Sequence, residues 1–517
     1  MQKTTILSPP HNNEYTKGIT SHSNIYACYR TCRRRKRRTA NALLFEQNLE
    51  QNIMQLAYEL RSGTYNPRPA LAFMLHKPKQ REIFAADFYD RVVHHILVKE
   101  LEPIWERRFI HDSYACRVGK GNLAAVKRLQ KFTRQVTCNG NRQAYFLQLD
   151  IMSYFTSINR KILYARLCKV TKHPLLQELM RKIIYQDITA DCRIKGSRRA
   201  DFMALPARKT LFKAPPHKGL PIGNLTSQFF GNVYLDALDQ YIKHTLKVRC
   251  YVRYCDDFVL LADSKEQLEV WRQQISIFLI EQLDIVARPD YKLATVSSGI
   301  DFLGYIVRPS YLLSRRRVVA NLDRLLYTTE KSLRSRGYVS HASTGECFLP
   351  YDSILTARLV ASLNAYHGHL AHAKSHKLWQ RLQHRYSWLV HYVQRTDDGV
   401  FEQRYKPWKP THFFIRQVMM ASYRFPGHII VVQIGNWWQV ILPPATRSTL
   451  QHHNKHYVHD TYVHAYAQSL QTAGKTVVGI AQTGKRITTI HDRQLAWMYA
   501  PNRKAVSIKN SRGVQLQ

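Results

Sequence analysis

The sequence predicts an α+β fold with more than one core, and three observations carry that reading. At 517 residues the chain exceeds what one ordinary core accommodates, so about two to four domains are expected. Short apolar runs bounded by turn residues, such as Tyr145 to Asp150 and Tyr251 to Leu261, alternate with stretches of helical periodicity. Near residue 400 a leucine-rich helical texture gives way to proline-bracketed, β-leaning segments.

Residues 1–40 are polar and end in Arg33-Arg34-Arg35-Lys36-Arg37-Arg38, read as a basic N-terminal arm gripping RNA, with a nuclear address as the alternative. Cys28 and Cys32 have a spacing that metals use, yet no second Cys/His pair follows nearby, so ordinary thiols are expected. From Asn41 to about Leu60 the positions Leu43, Leu44, Leu49, Ile53, Leu56, Ala57 and Leu60 recur with helical spacing, and Ser62-Gly63 closes the helix. Asp87 to Leu101 reads as a second helix and Leu225 to Leu246 as a long one. Tyr145 to Asp150 is a strand with a carboxylate at its end, and Tyr251 to Leu261 is a hairpin turning at Cys255-Asp256. Ser314 to Val393 is helical, with Leu322, Leu325, Leu326, Leu359, Leu363, Leu370, Leu378 and Leu382 in its pattern. Beyond Pro407, Pro410, Pro426, Pro443 and Pro444 bracket a buried-type strand, His428 to Ile434, and a β-leaning segment follows at Thr476 to Ala481. The resulting division is 1–40, 41–310, 311–400 and 401–517, the last a small α/β domain.

Charge says what the chain meets. Lys and Arg number 77 against 36 Asp and Glu, a formal excess of +41, so the expected partner is a polyanion. Nucleic acid fits better than a membrane surface, because 30 Tyr and 20 Phe supply stacking platforms and phosphates release counterions to such a surface. A basic ribosome-associated protein is the plain alternative. No apolar run approaches the roughly 20 residues a spanning helix needs. The start lacks a secretory layout, and nine cysteines at irregular spacing suggest no disulfide framework, so a cytoplasmic location is expected.

Two carboxylate-bearing segments stand out: Asp150-Ile151-Met152-Ser153-Tyr154-Phe155 and Tyr254-Cys255-Asp256-Asp257. A strand-end Asp facing a hairpin-tip Asp-Asp sets hard oxygen ligands on a rigid floor, which suits Mg²⁺. Joining a nucleotide to a primer 3′-hydroxyl takes two such ions about 4 Å apart. A lone Asp-Asp is usually a solvated turn. An aromatic-x-Asp-Asp between apolar strands, with a second strand-end Asp upstream, is far more specific.

These segments resemble the A and C motifs of reverse transcriptases, and the resemblance extends over about residues 40–395. It implies a right-hand polymerase of fingers and palm (41–310) and helical thumb (311–400). It makes Asp150 and Asp256 the main ligands of two Mg²⁺ ions, with Mn²⁺ as an alternative, Asp257 beside them and the Ile151 carbonyl as a backbone ligand. Phe155 stands where the family places a gate against the ribose 2′-hydroxyl, core packing being its alternative. Lys77-Pro78-Lys79-Gln80-Arg81-Glu82-Ile83 and Ser113-Tyr114-Ala115-Cys116-Arg117-Val118-Gly119-Lys120 resemble the fingers motifs. That makes Arg81 and Arg117 triphosphate contacts, where guanidinium groups neutralise the leaving pyrophosphate; a surface or template contact is the alternative. Lys292 resembles the motif D lysine, an acid for the pyrophosphate, and Phe302-Leu303-Gly304-Tyr305 the primer grip.

The segment Gly219-Leu220-Pro221-Ile222-Gly223-Asn224-Leu225-Thr226-Ser227-Gln228 discriminates further. Gly223 is expected to let backbone approach the nucleotide and its template base, with Gln228 on the helix behind. Retroviral, retron and group II intron enzymes carry Gln where this chain has Ile222. The Ile-Gly-Asn-Leu-Thr-Ser-Gln form resembles the reverse transcriptases of diversity-generating retroelements, which copy a template RNA into cDNA with errors at adenines. Partners implied are template RNA, cDNA, dNTPs and a small basic accessory protein of the accessory variability determinant type, in a bacterial, archaeal or phage setting. The rivals are an antiphage-defence or other orphan bacterial reverse transcriptase, and a catalytically retired RNA-binding scaffold.

The order of His428 to Gln439 and then Ala473 to Gln482 resembles the mismatch-recognition domain of MutS. There Trp437 would take the stacking position and Gln439 the acidic one, a departure from the family's Glu; paired tryptophans are otherwise core anchors. Of the histidines from His412 to His491, His452, His453, His456 and His459 read as a solvated loop rather than a metal site. No phosphate-binding P-loop or nucleophile elbow occurs.

Overall fold

Strand alternation sets the heart of the fold. In Tyr145–Asp150 the side chains of Phe146, Gln148 and Asp150 share one face, and Leu147 and Leu149 the other. This strand lies inside a four-stranded antiparallel sheet, ordered Tyr251–Tyr254, Asp257–Ala262, Tyr145–Asp150, Lys292–Thr295. Both faces are covered. Leu147, Leu149, Tyr251, Phe258 and Leu260 join the larger core with the helices Phe88–Glu106, Leu225–Gln240 and Lys265–Leu283. Phe146, Val252, Val259 and Leu261 pack with the helix Asn122–Val136 and the hairpin Ile300–Phe302/Tyr305–Val307. The polar members of the second face therefore emerge where that apolar layer ends.

The computed structural model describes residues 14–34, 39–76, 79–335, 339–340, 347–348, 353–404, 425, 427–434, 437–442, 457–482, 493–499 and 506–507. Arg35 to Arg38, Lys77, Pro78, Pro410, Pro426, Pro443, Pro444, His452, His453 and His456, all used in the sequence reading, lie outside these residues. Two compact units are present, 1–319 with 372–375, and 320–371 with 376–517.

In the first unit, a small sheet ordered Arg81–Ala85, Leu71–Leu75, Arg193–Ile194 has its own core of Phe84, Phe202, Leu205 and Leu211. The N-terminal segment read as a basic arm is not one polar piece. It contains the helices Glu14–Ile19 and His22–Arg33, and Ile25, Cys28, Tyr29 and Cys32 are buried in the larger core. Basic residues on the outer side of an amphipathic helix conceal the inner stripe from a composition-based reading. The helix expected from Asn41 to Leu60 is two, Ala40–Gln47 and Leu49–Ser62, broken at Asn48. The break turns the first face, and Leu43 and Leu44 stand exposed. The long helix keeps α geometry over Leu225–Gln240 and then widens into a π-turn at Tyr241–Thr245.

In the second unit, the helices Arg316–Arg334, Ser353–Leu370 and His376–Arg385 pack Leu322, Leu326, Leu363, Leu370 and Leu382 into one core. Further on, a six-stranded sheet runs in the order Tyr457–His459, Trp437–Ile441, Ile429–Ile434, Val477–Gln482, Arg493–Tyr499, Val506–Ser507. Ile429–Ile434 and Val477–Gln482 are parallel, the helix Val463–Thr472 lying between them in sequence. No described helix is long and apolar enough to cross a membrane.

Candidate active site

The three aspartates meet because of strand register. Asp150 pairs directly with Asp257 across the antiparallel ladder, and Asp256 occupies the turn that leads into Asp257. The turn bends at Cys255, whose φ of 56° is left-handed. Beyond Asp150 the chain is fastened by the Met152 N–H donating to Val286 O at 2.9 Å, and the Arg288 N–H donates to Asp150 O at 2.8 Å.

Electrostatically the cluster is frustrated. Burial, and then the Asp256 charge, push Asp150 up to about 6, with Arg288 pulling against them. Asp256 is raised as well, chiefly by burial, with the Arg81 and Arg253 charges pulling against the rise. Burial drives Asp257 up to about 7, and the two neighbouring aspartates add to the rise. Paired carboxyls that hold protons near neutrality are what a cation of hard-oxygen preference displaces. Asp150 and Asp256 fit Mg²⁺ on that ground. Asp257 Oδ1 accepts from Gln148 Nε2 at 3.0 Å, and among the described residues no three His, Cys, Asp or Glu side chains already converge as a ligand set.

Beneath the turn lies a group that sequence reading overlooked. Arg253 is fully buried, and its five N–H donors are all used. Nε and Nη2 hold Asp239 at 2.8 and 2.6 Å, Nη2 also reaches Ser113 Oγ at 3.0 Å, and Nη1 reaches Asn232 Oδ1 at 3.3 Å and Cys255 O at 3.0 Å. Tyr251 donates to Asp239 as well, at 2.7 Å. The turn thus rests on a neutralised buried pair that also grips helix Leu225–Gln240. An arginine between Val252 and Tyr254 in an apolar strand was the available signal.

The remaining expected residues divide. Arg81 opens its strand, is exposed, and lowers Asp256 by its charge. Arg117 does not stand free for a triphosphate. Its side chain is 5% exposed, it binds Glu106 with Nε and Nη2 (2.7 Å for Nη2), and it donates through Nη1 to Ile110 O and Ser113 O at 2.7 and 2.8 Å. A buried guanidinium takes the nearest carboxylate and carbonyls, and motif position alone does not reveal that. An exposed cation missed in the sequence, Arg288, lies 3.6 Å from Asp150 Oδ2 and pairs with Asp290 at 2.7 Å.

Lys292 pairs with Gln148 on the neighbouring strand, and its Nζ sits 5.4 Å from the centroid of the Phe146 ring. Phe155 is half-buried against the larger core, 5.2 Å from the ring of Tyr154. Ile151 is buried, and its backbone forms a bridge with Ala287. Phe302 and Tyr305 are buried partners at the base of a hairpin whose tip, Leu303-Gly304, has positive φ at both residues.

Gly223 has a structural duty that its expected role did not include. At φ 125° a Cβ there would lie 2.9 Å from Ile83 Cγ2 and 3.0 Å from Phe84 O. Ile222 O accepts from Phe84 N at 2.9 Å, and Asn224 Oδ1 from Ala86 N at 3.0 Å. The Gly219 to Gln228 segment is thereby strapped to the strand that begins with Arg81. Gln228 is exposed on the first turn of Leu225–Gln240.

In the second unit Trp438 is buried in the core beneath the sheet, with Ile429, Val431, Val440 and Val477. Trp437 and Gln439 lie one residue to either side on the same strand.

Residues 75–307 match the model of the family described as reverse transcriptase (RNA-dependent DNA polymerase). Protein YkfC of Escherichia coli K12 is 24% identical over 318 residues, 54% of this chain and 78% of that protein. The group II intron-encoded protein LtrA of Lactococcus lactis subsp. cremoris is 21% identical over 325 residues, half of each chain, so the chain spans about half the length of that relative. Among solved structures, telomerase from Candida albicans in complex with a telomeric RNA fragment aligns at a TM-score of 0.33 and 11% identity, over 59% of this chain and 55% of its own. The match and the two protein relatives show that residues 75–307 form a reverse transcriptase domain, of the class of RNA-directed DNA polymerases, and the aspartate cluster lies within it.

Proposed function

We propose that this protein is the error-prone reverse transcriptase of a diversity-generating retroelement, copying a structured template RNA into mutagenised cDNA in a microbial or phage-infected cytoplasm. Asp150, Asp256, Asp257 and the Ile151 carbonyl would hold two Mg²⁺ ions, or Mn²⁺ in their place. When bound, the ions lower the pKa of the primer hydroxyl and clamp the triphosphate. Arg81 neutralises the triphosphate, Phe155 excludes the ribose 2′-hydroxyl, Lys292 protonates the pyrophosphate, and the Phe302 to Tyr305 hairpin seats the primer end. Residues 41–310 serve as fingers and palm and 311–400 as thumb. The tail, 401–517, binds a hybrid or heteroduplex end through Trp437 and Gln439. A small basic accessory protein completes the complex.

Ile222 carries the narrower claim. Its carbonyl accepts from Phe84, on the strand that begins with Arg81, whose charge acts on Asp256, and that link supports reading the loop as part of the nucleotide site. A branched apolar side chain there, in place of an amide, removes a hydrogen-bonding group from the wall, and discrimination falls with it. Primer extension on adenine-containing RNA, comparing wild type with Ile222→Gln, tests the proposal. Misincorporation opposite adenine is expected to drop about tenfold, a gain of about 1.4 kcal/mol of discrimination. Equal error rates contradict it. A template repeat with a near-copy in a neighbouring gene separates this role from an antiphage-defence enzyme.

A further inference from the structure

Among the described hydrogen bonds, Gln148 is the one side chain that touches both the aspartate cluster and the hairpin Ile300–Phe302/Tyr305–Val307. Its amide nitrogen has two hydrogens and two acceptors: Asp257 Oδ1 at 3.0 Å and the Asp301 carbonyl at 3.1 Å. The other end of that hairpin strand is fixed independently. Arg315 Nε holds Asp301 Oδ1 at 2.6 Å, and the Arg315 N–H donates to Gly304 O at 2.9 Å. Asp301 is therefore pinned by its side chain on one side and by its carbonyl on the other, and the second pin leads directly to Asp257.

We infer that Gln148 is a positioning residue that couples Asp257 to the 300–307 hairpin, so that order in the cation site and the seating of the primer end are one mechanical unit. The residue type fits this duty. Its neighbour on the same face of the strand, Phe146, is buried in an apolar layer, so an apolar residue would extend that layer, and an amide stands there instead with both donors committed. Glutamate at the same position would set a further carboxylate against Asp257 and against the Asp301 carbonyl, with no donor for either. Glutamine supplies the donors without charge. Side chains that hold a metal-binding carboxylate from behind typically change metal affinity or activity by about 10–100-fold when removed.

This inference rests on the reading of Asp257 as part of the cation site. The test uses the full-length protein, an RNA template annealed to a DNA primer, and Mg²⁺ titrated from limiting to saturating. In Gln148→Leu, half-saturation by Mg²⁺ is expected to rise at least fivefold, and kcat at saturating Mg²⁺ to fall about tenfold, with Tm unchanged within about 2 °C. Gln148→Glu, of the same length, is expected to be at least as impaired, because shape is kept and the donors are lost. Arg315→Gln combined with Gln148→Leu should cost less than the product of the single effects, since both act through Asp301. The inference is overturned if Mg²⁺ half-saturation and kcat stay within twofold in both Gln148 variants, or if kcat falls only in step with Tm at constant Mg²⁺ half-saturation. An inactive wild-type protein would instead remove the polymerase reading on which the inference rests.

Discussion

The two large sheets of this molecule differ in what their buried strands admit. In the Tyr145–Asp150 sheet, apolar strands carry Gln148, Asp150, Arg253 and Asp257, each held by named partners. In the C-terminal sheet, Ile429, Ile430, Val431 and Val432 are buried in succession on both faces, and no charge interrupts them. Burying a polar group costs free energy unless it is paired, so a strand that keeps several is shaped by something besides stability. The first sheet sacrifices stability for chemistry, and the second is built to pack.

The largest expected contrast comes from removing one carboxylate. Asp256→Asn should lower the rate of primer extension at least ~1000-fold, about 4 kcal/mol of transition-state stabilisation. The same change should leave Tm unchanged or raised, because it relieves a buried repulsion. A fall in Tm equal to that of a core mutation would erase the contrast between the sheets. Next, Arg253→Met should destabilise the first unit by about 3–5 kcal/mol in urea unfolding, since Asp239 is left buried without its counter-charge. Restoring stability with Asp239→Leu in the same chain, while extension remains slow, would separate support of the fold from support of the turn. In the second sheet, Trp438→Ala should cost a similar ~3–5 kcal/mol through its cavity alone, with extension of a preannealed primer kept within twofold.

A smaller effect is expected at the strap. Gly223→Ala forces a side chain into left-handed backbone against Ile83 and Phe84, at about 1–3 kcal/mol, and should weaken nucleotide use more than template binding. The smallest effect is on pH dependence. Asp150 and Asp257 hold protons more tightly in the folded chain than unfolded, with pKa values near 6 and 7. Without metal, the stability these two groups contribute is therefore fully present below about pH 4 and is lost as pH rises through 6 and 7. Tm of metal-free protein should fall across that window, and Mg²⁺ at pH 8 should restore it. Extension at limiting Mg²⁺ should rise over the same interval as the competing protons leave.

What could be read from the sequence follows the same division. The strand Tyr145–Asp150 and the turn at Cys255-Asp256 were legible because a carboxylate at the end of an apolar strand has few packing explanations. The strand beginning near His428 and the parallel partner near Thr476 were legible from β-branched runs. Side-chain commitments were not. Arg117 faces Glu106, and Lys292 lies over Phe146, through tertiary neighbours 11 and 146 residues away that spacing does not encode. Leu43 and Leu44 misled because a break at Asn48 rotates the helix that carries them. A glycine in the Gly223 position signals a close backbone approach, and the approach the fold requires is to Phe84, a tertiary neighbour that the motif does not encode.

The most direct test of the account is RNA-templated synthesis by the full-length protein, with accessory protein supplied, comparing wild type with Asp256→Asn in Mg²⁺ and dNTPs. The account predicts cDNA templated by the RNA, with substitutions at template adenines, from wild type and none above background from the variant. Equal product from both, or none from wild type under any priming condition, would contradict it.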